Sequence, residues 1–331
     1  MMACCAKFDE GWSQNVMPLP RLLSSLPSLA ISAGLTIAFA AHAQDARPKI
    51  TGISHMAVYA SDPAAAEHFY RGQLGAGKEP DPEDPRGTVY RFSEQQFIEV
   101  LPLPAQHTIS RLDHVAFATT DADTLHSYFA AHQYRDVDAV KTGADGSKWF
   151  FARDPEGNRV EFCQSSARPF RASENLISPR IIHVGFLVKD RAREDRFYRE
   201  LLGFRPYWYG AMNPGKLDWV SQQVPDGHDW LEYMMTGPGS DTQDANKLDL
   251  HELGVLNHFS LGVPNMEKAI TGLYVSDALR LDSKIDGPSM GLDGKWQADL
   301  FDPDGTRVEL MEFQPVAKPC CSDFTAESPA D

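Results

Sequence analysis

Four stretches of this chain open alike: ISHMAVYASD from Ile53, LDHVAFATTD from Leu112, IIHVGFLVKD from Ile181 and LNHFSLGVPN from Leu256. A repeat of this length constrains the fold strongly, because one supersecondary unit must pack against its own copies to bury its apolar face. Each copy has a histidine in third place (His55, His114, His183, His258) within alternating apolar residues, the period of a half-buried strand. Seven places further on stands Asp62, Asp121, Asp190 or Asn265. Asp and Asn favour helix N-caps, where a side-chain oxygen accepts an orphan backbone N–H. Pro63 follows the first of them, at the helical position where proline fits best.

Helical stretches follow, with aromatic pairs in matching places: Phe69-Tyr70, Tyr128-Phe129 and Phe197-Tyr198. These pairs read as core packing against a sheet. The third helix runs to Gly203, a C-cap. Short strand-like runs come next. Copies two and four close alike, in DPEGNRVEF (Asp154 to Phe162) and DPDGTRVEL (Asp302 to Leu310), preceded by Lys148-Trp149 and Lys295-Trp296. An x-Pro-acid-Gly tetrad between strands is a hairpin turn. The unit is therefore a strand, a helix and a three-stranded meander. Polar, proline-containing linkers separate the copies (102–110, 164–179 and 236–253), and the middle one divides residues 44–170 from 171–314. Residues 315–331 are expected to form a flexible tail. The tail's Cys320 and Cys321 read first as unstructured thiols; a vicinal disulfide and a soft-metal site are the alternatives.

The chain has 331 residues, enough for two domains, and 46 Asp and Glu against 31 Lys and Arg. With a net charge of −15 and no basic stripe, nucleic acid is not an expected partner. From Met17, which reads as the true start, Arg21 precedes an apolar stretch ending at Ala41-His42-Ala43, a small-x-small cleavage signal. Residues 1–43 are thus expected to be a leader and signal peptide, cut after Ala43. The mature protein would be periplasmic or secreted, with no membrane association, as a monomer or homodimer.

Each unit also ends with a glutamate inside an apolar strand: Glu99, Glu161, Glu232 and Glu309. A carboxylate buried there without a partner would cost several kcal/mol or take up a proton. These glutamates follow their unit's histidine by 44, 47, 49 and 51 residues. The first and last strands of every unit therefore each present one metal-competent side chain. Imidazole with carboxylate suits Zn, Fe, Ni, Co or Mn, and two His with carboxylate recur where positions stay open for substrate. The third unit is also rich in aromatics: Tyr207, Trp208, Tyr209, Trp219, Trp230 and Tyr233, with Met234 and Met235. Aromatic walls with a few polar groups describe a small-molecule pocket, and Trp208, Trp219 and Trp230 are its expected substrate-binding residues; a packed sheet core is the other reading. His228 and Asp229 sit in a turn before Glu232 and read as solvated, with an acid–base role as the alternative.

Taken together, the four His-bearing strands, the aromatic helices and the two DPxGxRVE turns resemble the vicinal oxygen chelate superfamily. It includes glyoxalase I, extradiol dioxygenases and bleomycin- and fosfomycin-resistance proteins, and the resemblance covers nearly all of residues 50–313. It implies an α+β fold: four βαβββ modules paired into two glyoxalase-like domains with curved, mostly antiparallel sheets. Residues 50–104 would pair with 111–164, and 180–236 with 255–313. It further implies a divalent metal held by His183, Glu232, His258 and Glu309, with His55, Glu99, His114 and Glu161 as a second candidate set.

The expected activity is that of a metal-dependent lyase, isomerase or epimerase. A small oxygenated substrate would chelate the metal through neighbouring oxygens, and Glu232 or Glu309 would move the proton. Two alternatives are an extradiol dioxygenase acting on a catechol, and a non-catalytic protein that binds a drug or metabolite. The intact N-terminal set, and Glu232 near where the dioxygenases carry a catalytic histidine, count against ring cleavage.

Overall fold

The structure is a computed structural model, and it describes residues 46–166, 169–276, 278–279 and 285–330. The leader expected at residues 1–43 lies outside the described residues. Among the described residues no helix is long and apolar enough to cross a membrane.

The first module runs β1 (Ile50–Ala60), α1 (Pro63–Glu67) continuing into a π-helical turn (His68–Gln73), β2 (Gly77–Pro80), β3 (Thr88–Arg91) and β4 (Phe97–Pro102). The second comprises β5 (Leu112–Thr119), α2 (Ala122–Ala131), β6 (Lys141–Thr142), β7 (Lys148–Arg153) and β8 (Arg159–Gln164). The third has β9 (Ile181–Val188), α3 (Arg191–Asp195) with its own π-helical turn (Arg196–Leu201), β10 (Arg205–Gly210), β11 (Trp219–Gln223) and β12 (Trp230–Met235). A linker helix, α4 (Leu250–Leu256), precedes the fourth: β13 (His258–Val263), α5 (Met266–Val275), β14 (Asp286–Met290), β15 (Trp296–Phe301) and β16 (Arg307–Glu312). The expected caps all form, with side chains of Asp62, Asp121, Asp190 and Asn265 accepting backbone N–H groups of the first helical turn. The linker before β13 is more than a polar spacer, since Asp249 and Glu252 close a capping box on α4.

Two eight-stranded sheets result, in the orders β2-β3-β4-β1-β5-β8-β7-β6 and β10-β11-β12-β9-β13-β16-β15-β14. Modules therefore pair within each half, first strand against first strand and antiparallel (β1 with β5, β9 with β13). Within every module the first and last strands pair in parallel, and the remaining pairs are antiparallel. Strand alternation then separates two faces. Met56, Val58, Ile98 and Val100 enter the apolar core, while His55, Phe97 and Glu99 face the other way.

One core serves both halves. Phe129 and Tyr134 of the second module pack on Phe197 of the third, Phe117 on Phe204, and Phe92 of the first on Phe259 of the fourth. Polar ties follow a twofold pattern. Tyr70 Oη donates to Asp302 Oδ2 at 2.8 Å, and Tyr198 Oη donates to Asp154 Oδ2 at 3.2 Å. Each odd-numbered module thus fastens its helix to the hairpin turn of the opposite half. The next acid of each turn repeats the pattern: Asp304 accepts from Ser61 N, and Glu156 from Lys189 N and Asp190 N. A second seam joins β1 to β9. Gln96 exchanges hydrogen bonds with Ile181 and donates to Ile53 O, while Asp229 accepts from Ile53 N and from Arg180. Asp229, read from sequence as part of a solvated turn, is buried in this seam, whereas its neighbour His228 is exposed.

The tail also departs from expectation. Residues 315–330 run along the third module instead of hanging free: Thr325 N donates to Tyr207 O, Tyr209 N to Ser322 Oγ, and Gln223 Nε2 to Glu327 O. Cys320 and Cys321 are joined as a vicinal disulfide, and Cys320 O accepts from Trp208 Nε1. Cys163 is buried with a free thiol.

Burial raises the Asp302 carboxyl to about 6 from 3.8, against the opposing hydrogen bond from Tyr70. Its favourable contribution to stability is therefore complete below pH 3.8 and lost as pH rises through about 6. Tyr70→Phe should cost about 1–3 kcal/mol in urea unfolding at pH 7. Asp302→Asn should flatten the stability profile across that acid window; parallel profiles for variant and parent would remove the tie from the account.

Candidate metal centres

The shared strand register builds both centres. In β1 and β4, His55 lies opposite Phe97, which puts Glu99 two residues further along the same face. In β9 and β12, His183 lies opposite Trp230, and Glu232 follows two residues on. The even-numbered modules repeat this offset: Glu161 is opposite Ala116, two residues beyond His114, and Glu309 is opposite Ser260, two beyond His258. Antiparallel pairing of the first strands then brings two imidazoles together in each half. Gly185 is opposite both His258 and Glu232, and a Cβ there would collide with the His258 ring.

In the C-terminal half the Nε2 atoms of His183 and His258 stand 3.0 Å apart. Glu309 Oε2 is 3.0 Å from His183 and 4.0 Å from His258, and Glu232 Oε2 is 3.7 Å from His258. The four expected donors therefore converge. Ligand atoms of His183, Glu232 and His258 fall within 4.8 Å of one another. In the N-terminal half His55 and His114 have the same 3.0 Å spacing, and Glu161 Oε2 lies 3.6 and 3.2 Å from their Nε2 atoms. Glu99 Oε2 is 3.8 and 3.5 Å from the same pair.

These residues fit a divalent cation on three counts. Two cis ligands with bonds of ~2.1 Å subtend about 3 Å, the spacing both imidazole pairs show. His114 Nδ1 faces Asp113 Oδ2 at 2.7 Å and His258 Nδ1 faces the Leu256 carbonyl at 3.2 Å. Both partners can only accept, so each Nδ1 carries the proton and each Nε2 keeps its lone pair for a metal. Finally, Glu161 is fully buried and neither of its oxygens accepts a hydrogen bond.

Electrostatics separate the two centres. Burial, with Arg307 and His183 alongside, pushes His258 well below its usual range and holds it neutral. Burial alone would raise Glu309, but Arg307 and His183 overcome it and hold the carboxyl low. Burial raises Glu232, with Glu309 adding to the effect and His183 opposing it. Burial also lowers His55. It would lower His114 too, yet Asp113 and Glu161 reverse the shift and raise that group. Glu99 is pushed up to about 11 by burial and by Asp81 beside it.

The expected aromatic pocket forms. Trp208, Trp219 and Trp230 line a cavity of about 90 Å³ with Tyr207, Glu232 and Glu309. Trp230 stacks on the His183 ring at 4.6 Å, as Phe97 stacks on His55 at 4.3 Å. Tyr233 points into the core and Tyr209 outward, so neither belongs to this cavity. Phe324 of the tail also lines it, packed on Tyr207 at 4.8 Å.

Several polar groups escaped the reading of the sequence. Lys295 is fully buried, its Nζ without a hydrogen-bond partner and 4.8 Å from the Trp230 ring centre. Arg307 Nη1 lies 3.8 Å from Glu309 and 3.5 Å from Asp299. The signal for Arg307 was present: it precedes Glu309 by two places and so shares its face. Asp81 and Glu83, from the loop between β2 and β3, reach the N-terminal centre, and no local pattern marked them.

The fold and its paired His/Glu clusters define a two-domain protein of repeated modules with two candidate metal sites. The chain belongs to the Glyoxalase/Bleomycin resistance protein/Dioxygenase superfamily, whose family model matches residues 52–162 and 180–310. No curated protein sequence matches it. Among solved structures it is similar to a variant of homoprotocatechuate 2,3-dioxygenase from Brevibacterium fuscum, with TM-score 0.61 and 18% identity over 86% of this chain and 75% of that one. The Arthrobacter globiformis homoprotocatechuate 2,3-dioxygenase gives TM-score 0.60 and 17% identity over 80% of each chain. The B. fuscum enzyme complexed with 3,4-dihydroxyphenylacetate gives 0.60 and 18% over 86% of each. At this identity the likeness is one of fold.

Removing residues 315–331 should uncover Tyr207 and Trp230. Tryptophan emission should shift to the red and acrylamide quenching should rise; unchanged emission and quenching would contradict the packing of the tail on this wall.

Proposed function

We propose that the protein is a metal-dependent enzyme of the lyase, isomerase or epimerase type. It would act on a small molecule with neighbouring oxygens at the C-terminal centre. Convergence of Glu232 on the two imidazoles and Glu309 carries this reading. His183, His258 and Glu309 would hold the divalent cation, with Glu232 as a fourth ligand that can be released. Bound there, such an ion supplies a Lewis acid for a carbonyl or enolate oxygen. Glu232, raised by burial and accepting a hydrogen bond from Ser221 Oγ at 3.1 Å, is suited to take and return a substrate proton. Trp208, Trp219 and Trp230 would shape the apolar side of the pocket, and Phe324 would exclude water.

A second reading is extradiol cleavage of a catechol. Two histidines and one carboxylate with open positions are the donor set of non-haem iron oxygenases. The likeness in fold to homoprotocatechuate 2,3-dioxygenases supports it. Glu232, a second carboxylate and fourth donor at this centre, favours proton transfer over oxygen chemistry. We also propose export, supported by the Ala41-His42-Ala43 signal. Little glutathione would be met there, which disfavours a glutathione-dependent glyoxalase role.

Glu309→Ala should lose both the C-terminal metal and activity, and full metal occupancy in that variant would refute the site. Glu232→Gln should keep metal while lowering turnover about 10²–10⁴-fold. Solvent-deuterium incorporation into a panel of α-hydroxycarbonyl compounds, followed by NMR, reads the first activity. Oxygen uptake with a yellow product from a catechol panel would establish the second in its place.

A further inference from the structure

The two Lys-Trp pairs of the chain face opposite ways. Four residues separate Trp149 from the turn at Asp154, and five separate Trp296 from the turn at Asp302. Strand side chains alternate, so one added residue exchanges the faces of the pair. In the second module Trp149 lines the N-terminal cavity while Lys148 reaches outward to Asp123. In the fourth, Trp296 is 37% exposed and Lys295 is fully buried. The register agrees. Trp149 lies opposite Cys163, two residues beyond Glu161, and Gln297 holds that place opposite Met311, two beyond Glu309. Lys295, two residues before Gln297, therefore shares the face of the C-terminal centre.

Its ammonium sits among aromatic rings. Nζ lies 4.8 Å from the centre of Trp230, 5.4 Å from Phe324 and 5.8 Å from Tyr207, and all three rings line the cavity. His183 stacks on the same Trp230 ring at 4.6 Å, so the ammonium stands within a small molecule's length of that imidazole. Among the described residues no acceptor is within hydrogen-bond distance of Nζ; Asp293 accepts from the Lys295 backbone N–H instead, at 3.1 Å. Ring faces attract an ammonium but replace only part of the water it has lost. Burial lowers the group only to about 8, so it keeps its charge at neutral pH. The cavity wall adds two further donors. Trp230 Nε1 and Arg307 Nε are buried without an acceptor, and among the described lining residues no buried acceptor atom is left in that state. The imidazoles and carboxylates suit a cation, whereas the three unpartnered donors want an anionic oxygen.

We propose, on the footing of the chemistry assigned to the C-terminal centre, that Lys295 and Arg307 select a substrate carrying a carboxylate beside its neighbouring oxygens. Lys295 is the specificity-determining residue: its Nζ donates to that carboxylate, and Trp230 and Arg307 offer further N–H groups to its oxygens.

The test compares hydroxypyruvate with dihydroxyacetone, which share an α-hydroxyketone and differ in a carboxylate against a hydroxymethyl group. Isothermal titration of the metal-loaded protein should show tighter binding of hydroxypyruvate. Lys295→Met should cut that preference about 10- to 100-fold and leave dihydroxyacetone affinity unchanged. Methionine fills a similar volume and removes an unpaired buried charge, so the variant should unfold at a midpoint no lower than the parent. A preference that survives in the variant, whatever its midpoint, would make Lys295 a structural post and overturn the proposal. Equal affinity of the unaltered protein for both compounds overturns it with no variant needed. Solvent-deuterium exchange into dihydroxyacetone without any preference for hydroxypyruvate would sink the anion site and leave the proposed function standing. A Lys295-dependent preference with exchange into neither compound would do the opposite.

Discussion

Everything distinctive about this protein rests on the parallel pairing of the first and last strands of each module. Parallel strands cannot be joined by a tight turn, so the helix and two meander strands lie between them in sequence. The register is the same four times over, with glutamate two residues beyond the position facing histidine. A one-residue slip would turn the glutamate into the apolar core and a core residue into the site. The apolar packing of Ile98, Val160, Leu231 and Val308 therefore places the chemistry.

That pattern explains which features were legible in the sequence. Strand alternation, Asp and Asn caps, and x-Pro-acid-Gly turns are local, and each produced the element it announced. The histidine and glutamate positions followed from the repeat, because their period matches the strand. What stayed hidden is non-local. Tyr70 and Tyr198 were recognised as core aromatics, but their bonds to Asp302 and Asp154 depend on how the two halves meet. Asp229 looked solvated because a turn sequence says nothing of the β1 backbone that covers it. The tail looked disordered because its partners, Tyr207, Trp208 and Gln223, are about a hundred residues away in the chain.

The same non-local logic makes the two centres unequal. Their quartets superpose in register, yet the residues facing the first strands of the even-numbered modules and the loops above them differ in what they contribute. One half encloses its carboxylates with Lys295, Arg307 and an aromatic wall; the other adds Asp81 and Glu83. The two halves share their ligand geometry and differ in the charge around it.

The crossed ties between helices and hairpin turns bear on how such a chain is made. The first helix finds its acceptor, Asp302, only after almost the entire polypeptide has left the ribosome. Until then the earliest module presents bare apolar surface. Closure of the shared core is thereby deferred until the fourth module has been made, which leaves the earlier modules loosely packed through most of synthesis.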